Sequence, residues 1–168
     1  MDIQYFMDVM SKYGAIAIFV IVLLEYLNLP GFPAGVIMPV AGILASRGRI
    51  NFSLAILITV AAGLTGSILL YGLGRGGGEI FLKKYYKKFP KARDVVEKKM
   101  AYLQKKGCVG IFVCKLIPAV RTLISIPAGV IKMNFVNYCI SSTLGIFLWN
   151  LAFVGAGYLF GDAVFSMF

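Results

Sequence analysis

The sequence predicts an all-α membrane protein. It reads as two inverted repeats, each a re-entrant helical hairpin plus a transmembrane helix, joined by a basic amphipathic helix on the cytoplasmic side. Three observations predict this. First, 60% of the 168 residues are A, V, I, L, M, F, W, Y or C and only 14% are charged, against roughly 25% charge in an ordinary soluble domain. In water such a chain would expose large apolar patches. Second, two charge-free runs have the length of a membrane span, whereas two other apolar stretches are interrupted by prolines and have the wrong length. Third, a strongly basic segment separates two halves that share a short motif.

Residues 1–12 hold Asp2 and Asp8 and lack a basic start, so they do not read as a cleaved leader; they could lie flat on either face. Residues 13–46 carry one charge, Glu25. One helix of that length would reach about 50 Å, and two full spans need about 40 residues. Within the stretch stands Asn28-Leu29-Pro30-Gly31-Phe32-Pro33. Proline lacks an N–H and clashes with the preceding turn, so Pro30 and Pro33 are expected to break a hairpin that enters and leaves on one side. Residues 53–73 are uncharged and cover about 30 Å as a helix, the thickness of the hydrocarbon core. The Gly72-Leu73-Gly74-Arg75-Gly76-Gly77 stretch then reads as a helix end with glycines for chain reversal.

The connector, residues 75–106, has ten Lys and Arg from Lys83 onward against Asp94 and Glu97. Its apolar positions Phe81, Tyr85 and Phe89, then Val96, Met100 and Leu103, have helical spacing. The excess of positive charge places it in the cytoplasm, on anionic lipid. Nucleic acid is not an expected partner of such a membrane-bound loop. Residues 107–132 repeat the anomaly of the first stretch, with Pro118 and Pro127 as expected breaks and Lys115 and Arg121 inside. Residues 133–161 are again uncharged and include Trp149 and Tyr158, and they predict the second span.

Pro33-Ala34-Gly35-Val36-Ile37 recurs as Pro127-Ala128-Gly129-Val130-Ile131. In a second register, Ala41-Gly42 precedes Tyr71 and Gly74 at the spacing by which Ala128-Gly129 precedes Tyr158 and Gly161. The registers differ by seven residues; both relate the halves. The whole chain, 1–168, is expected to be one membrane domain: first repeat 1–74, connector 75–106, second repeat 107–168. One crossing per half inverts the second repeat and puts both termini outside. Irregular backbone at membrane depth survives only when buried in protein or lining a wet cavity, and inverted repeats with broken helices are a transporter design.

The chain has no His, which excludes Ser–His and Cys–His catalysis and the commonest metal ligand. Cys108, Cys114 and Cys139 sit among apolar residues without a C-x-x-C and are expected to be buried free thiols. No metal or cofactor is expected: the G-x-G-x-x-G match at 72–77 follows a span rather than a strand, and there is no G-K-[ST]. Glu25 is costly at depth and reads as a proton- or ion-coupling group, or as a simple hairpin cap. Lys115 and Arg121 need more counter-charge than one glutamate supplies, which suggests an anionic substrate held by a planar guanidinium fork and a point charge. Snorkelling to the interface is the bland alternative.

These residues resemble the DedA membrane proteins, also known by their VTT or SNARE-associated domain. The resemblance covers roughly residues 13–162. It lies in Glu25 with Pro30 and Pro33, in Ala41-Gly42, and in Gly66 with Tyr71, Gly74, Arg75 and Gly78. Its most specific part is Phe112…Lys115-Leu116-Ile117-Pro118-Ala119-Val120-Arg121, followed by Ala128-Gly129, Met133 and Phe135; Trp149 and Gly157-Tyr158 complete it. The resemblance implies the double-hairpin fold in the bacterial cytoplasmic membrane, multi-pass, and a flippase that moves undecaprenyl phosphate or a similar anionic lipid, coupled to protons or cations. It adds Arg75, Tyr71 and Trp149 as secondary candidates and is compatible with a homo-oligomer. The chain departs from the family pattern in having Ala34-Gly35 where an acid often follows the second proline, and Lys115 where Arg is usual; after the glycine matching Gly66, where an Asp or Ser is common, Ser67 is present. A small-cation or proton antiporter using Glu25, a non-transporting scaffold and an intramembrane lipid enzyme are the other readings.

Overall fold

The computed structural model describes residues 3–27, 36–88, 92–118 and 120–161. They form α1 (Ile3–Tyr26), α2 (Ile37–Ser46), α3 (Phe52–Lys88), α4 (Ala92–Lys115), α5 (Ser125–Val130) and α6 (Phe135–Phe160). Pro30 and Pro33 lie outside the described residues. Two stretches, Phe52–Gly78 in α3 and Phe135–Phe160 in α6, are long and apolar enough to cross a membrane. Their outer faces are apolar too: Leu57, Leu73 and Leu159 are between 63% and 76% exposed. Helices apolar all round suit a lipid surrounding. The segments Gly14–Tyr26 and Ile37–Ser46 are equally apolar but shorter, about half to two-thirds of a ~30 Å hydrocarbon layer.

The chain packs as two compact units. Unit 1 takes residues up to 65 and from 146 onward; unit 2 is continuous from 66 to 145. Each therefore holds one helix pair and one part of α3 and of α6.

In unit 1 the core comprises Ile18, Val22, Tyr26, Met38, Val40, Ala55, Ala62, Ile146 and Val154. Two helices touch through their backbones: a Cβ on Gly42 of α2 would overlap the Val154 carbonyl of α6, and one on Gly157 would overlap the Pro39 carbonyl. On α3, Gly63 makes room for the Tyr26 ring, 2.8 Å from where its Cβ would be. Unit 2 uses the same device. A Cβ on Gly129 of α5 would overlap the Tyr71 carbonyl of α3, and one on Gly74 would overlap the carbonyl of Ile126. Dispersion and close backbone approach hold apolar helices together where no water drives them.

The backbone is punctuated alike in both units. Gly14 interrupts α1 at φ 55°, ψ −131°, and Gly107 interrupts α4 at φ 53°, ψ −126°. Such angles are open to glycine and strained for other residues. Each short helix has proline as its third residue, Pro39 in α2 and Pro127 in α5. Past the C-caps Arg47 and Ile131, the chain reverses at Gly48 (φ 69°) and Lys132 (φ 51°). Each long helix is then opened by an asparagine: Asn51 Oδ1 accepts the Ser53 N–H at 2.9 Å, and Asn134 Oδ1 accepts the Asn137 N–H at 3.1 Å. Asparagine at an N-cap satisfies a donor that the helix cannot.

Four expectations change. Pro127 is no hairpin break: it sits in the first turn of α5, where its missing N–H has no helical partner to lose. α4 ends at Lys115, before Pro118, and further on the Arg121 N–H bonds the Ile117 carbonyl at 2.9 Å and the Ile124 N–H the Val120 carbonyl at 2.9 Å. Glycines 72–77 do not end a helix; α3 runs through them to Lys88. The connector is not a helix of its own but the end of α3 and the start of α4. Cys108 is exposed.

Candidate functional site

The polar interior of unit 2 gathers around one residue of α3. Ser67 is completely buried, and its two oxygens serve two different helices. Its Oγ accepts a hydrogen bond from Lys115 Nζ of α4 at 2.8 Å. Its carbonyl accepts the Tyr138 hydroxyl of α6 at 3.0 Å. The Lys115 ammonium also donates to Ser125 Oγ, in the first turn of α5, at 3.1 Å. Four elements thus meet on one ammonium and one serine. The Lys115 stem reaches this point because α6 offers Gly145 there: a Cβ on Gly145 would come 2.5 Å from Lys115 Cβ and 3.1 Å from the Phe112 carbonyl.

Arg121 belongs to the same unit, in the turns after Pro118, and is 0% exposed; Lys115 is 1% exposed. The two cations stand near enough for Arg121 to repel the Lys115 ammonium electrostatically. Neither snorkels. Thr122, Ser125, Ser141 and Ser142 are buried in the same unit. Packing two cations with hydroxyls away from water is expensive, and hydroxyls can serve either a cation or an incoming anion because each both donates and accepts.

At the edge of this interior, Tyr71 donates its hydroxyl to the Met133 carbonyl and accepts from Arg75 at 2.6 Å. Its ring stacks on Tyr138, centroids 4.5 Å apart and planes 25° apart. Arg75 is exposed and also reaches the Met133 carbonyl at 3.4 Å. The Tyr71 hydroxyl therefore clips α3 to the turn that precedes α6. Tyr71→Phe should lower the stability of the purified protein by about 1 kcal/mol in thermal unfolding in detergent.

Unit 1 holds Glu25, in the last turn of α1 and 2% exposed, next to the fully buried Tyr26. Trp149 lies on α6 and stacks on Phe153 at 4.4 Å. The structure thus groups Lys115 and Arg121 with Tyr71 and Arg75 in one unit, and Glu25 with Trp149 in the other.

The family model for the VTT domain matches residues 32–159. The chain belongs to the VTT-domain family. The match includes every residue of the Lys115–Ser67–Ser125 cluster and Arg121 but begins after Glu25. Among similar proteins is the undecaprenyl phosphate transporter A of Staphylococcus aureus, 29% identical over 95% of this chain and 80% of its own. Another is the undecaprenyl phosphate transporter A of Bacillus subtilis, 34% identical over 77% of this chain and 66% of its own. A protein of Lactococcus lactis subsp. lactis named alkaline phosphatase-like is 28% identical over 95% of this chain and 76% of its own. No solved structure matches the chain.

For this VTT domain, the sequence pointed to both buried cations and to Tyr71 and Arg75. Of the hydroxyls that hold the ammonium, Ser67 had one signal, its place after Gly66 in the family pattern. Ser125 had none, nor had Tyr138, whose hydroxyl is on the Ser67 carbonyl, because a lone hydroxyl in an apolar run has no periodicity to mark it.

Proposed function

We propose that this VTT-family membrane protein carries an anionic lipid, undecaprenyl phosphate or one like it, across the bacterial cytoplasmic membrane. The observation that carries the reading is the burial of Lys115 and Arg121 in one unit, with the ammonium aimed by two hydroxyls from two other helices. A phosphate monoester can accept the guanidinium fork with two oxygens and the ammonium with a third. The names of two relatives, both undecaprenyl phosphate transporters, support the same substrate class.

In this mechanism the headgroup exchanges water for Arg121 and Lys115, while Ser67 and Ser125 keep the ammonium in place between cycles. The hydrocarbon tail stays in lipid throughout. The two halves of the chain, residues 1–74 and 107–168, act as inverted repeats, each a re-entrant hairpin plus a span, with the basic connector 75–106 cytoplasmic and both termini outside. Glu25 takes and releases the coupling proton or cation. The like punctuation of both units, down to Gly14 and Gly107, supports the repeat.

The test is transport of undecaprenyl phosphate in proteoliposomes, read as loss of the lipid from the outer leaflet. Wild type should accelerate it over empty vesicles, and an imposed pH or cation gradient should raise the rate several-fold. Glu25→Gln should abolish that stimulation while leaving equilibrium lipid binding within about twofold. Ion movement at the wild-type rate in vesicles free of substrate lipid would favour an antiporter instead.

The name of the Lactococcus lactis relative raises an enzymatic reading. A phosphatase of the metal-dependent kind needs clustered ligands; this chain has no His, and among the described residues no three Cys, Asp or Glu side chains gather.

A further inference from the structure

An open groove runs along the seam of α4 and α6 in unit 2. Cys108, Val109, Phe112, Asn137, Ile140, Ser141 and Leu144 line it, and its volume is about 400 Å³. Apart from Asn137 and Ser141 its walls are apolar. Val109, Ile140 and Leu144, its lips, are 62%, 56% and 55% exposed, so it opens sideways over its length. Gly145 of α6 follows Leu144 of its wall. There the Phe112 backbone and the Lys115 stem both press on α6. Beyond that contact lie the Lys115 ammonium, Ser67 and Ser125.

We propose that this groove seats the first stretch of the hydrocarbon chain of the anionic lipid whose headgroup Lys115 and Arg121 hold; this rests on the proposed function and extends it to the tail. Charge decides the occupant. The wall at Phe112 and Leu144 adjoins the Lys115 stem, and a lipid phosphate is the ligand that presents an anion and a hydrocarbon chain a bond apart. The sideways opening lets the rest of a long chain leave into the bilayer, so a polyprenyl lipid can be held by its first units without being enclosed. The fit works through shape. A tail that moves from lipid to groove leaves one hydrocarbon for another, so hydrophobic transfer adds almost nothing and the gain is dispersion against fixed walls. The groove therefore sets which chain is accepted more than how tightly.

The experiment measures binding of undecaprenyl phosphate and of the short-chain geranyl phosphate to the full chain in lipid nanodiscs. The variants are Leu144→Trp and Ile140→Trp, which fill the groove from the α6 side, and Lys115→Met. The groove variants should weaken the long-chain lipid about five- to tenfold and the short-chain one less than about twofold. Lys115→Met should weaken both alike. A groove variant that weakens neither ligand, or both equally, overturns the groove while leaving the cation site standing. Unchanged binding in Lys115→Met, with the groove variants still sorting chains by length, overturns the headgroup reading and spares the groove. Since a Trp variant could misfold, the exposed thiol of Cys108 supplies a second readout. Bound undecaprenyl phosphate should slow its alkylation by a maleimide several-fold in otherwise native protein, and geranyl phosphate should not. Equal alkylation with and without the long-chain lipid counts against the groove.

Discussion

Lys115→Met should strongly slow transport of the anionic lipid without weakening the fold. Met has nearly the length of the lysine stem, so the packing against Gly145 and Phe112 survives. What disappears is a charge that the unit buries at high cost. Ser67 and Ser125 lose their shared donor, but both hydroxyls can turn to helix carbonyls of their own chain, as Thr59 does with Ile56 at 3.0 Å. Thermal unfolding should therefore move by less than about 1 kcal/mol in either direction. Transport should fall about 10- to 150-fold, because a charge-assisted hydrogen bond to phosphate is worth about 1.5–3 kcal/mol. Arg121→Ala removes a two-pronged contact and should lose at least as much. The paired measurement is flipping rate and melting temperature on the same preparation. If Lys115→Met flips lipid at the wild-type rate, Lys115 is no part of the carrier site; if it melts far below wild type, its role is structural.

The second large effect concerns two glycines. Gly42→Val and Gly129→Val should each remove most of the folded protein. At both positions even a single Cβ would overlap a helix carbonyl, Val154 in one unit and Tyr71 in the other. A carbonyl inside a helix cannot step aside as a side chain can. The short helix must back away instead, at a cost of about 3 kcal/mol or more per site. Gly76→Ala and Gly77→Ala form the contrast: nothing lies within 4 Å of either Cβ position, and both glycines are inside α3. Each should gain up to about 1 kcal/mol of helix propensity. Fluorescence-detected size exclusion and melting in detergent read all four. Monodisperse, wild-type-like Gly42→Val would show that the close approach of α2 and α6 is not required.

The same glycines show how far the sequence could be read. The two spans were legible because freedom from charge over about 20 residues has few other causes. The two interrupted stretches were legible through length, and Lys115 and Arg121 stood out as cations in apolar surroundings. The glycine run at 72–77 misled. Glycine near a helix end usually marks a stop, yet here α3 continues, because Gly74 must lie against Ile126 and Gly78 against Val130. Tertiary contact decided what local propensity would have decided otherwise. Pro127 misled for a related reason: a proline in a first helical turn costs almost nothing, and only the position of Ile124 as N-cap shows that it stands there. The match of Asn51 with Asn134 was present in the sequence but carried no weight until both were seen to cap helices. Of the hydroxyl partners of Lys115, Ser67 had only the family pattern to mark it and Ser125 nothing, since their proximity depends on three helices meeting.

One feature of the layout bears on how the molecule is made. Unit 2 is a continuous stretch of chain, whereas unit 1 closes only when the segment from 146 onward joins residues made at the outset. On the ribosome, the first helix pair is thus the earliest to be synthesised and the last to be housed. Until α6 arrives, Glu25 and the bare backbone of Gly42 have no lasting shelter from the lipid, and contacts of such long sequence separation form slowly. Nascent chains arrested before α6 should be the ones that membrane chaperones and proteases seize.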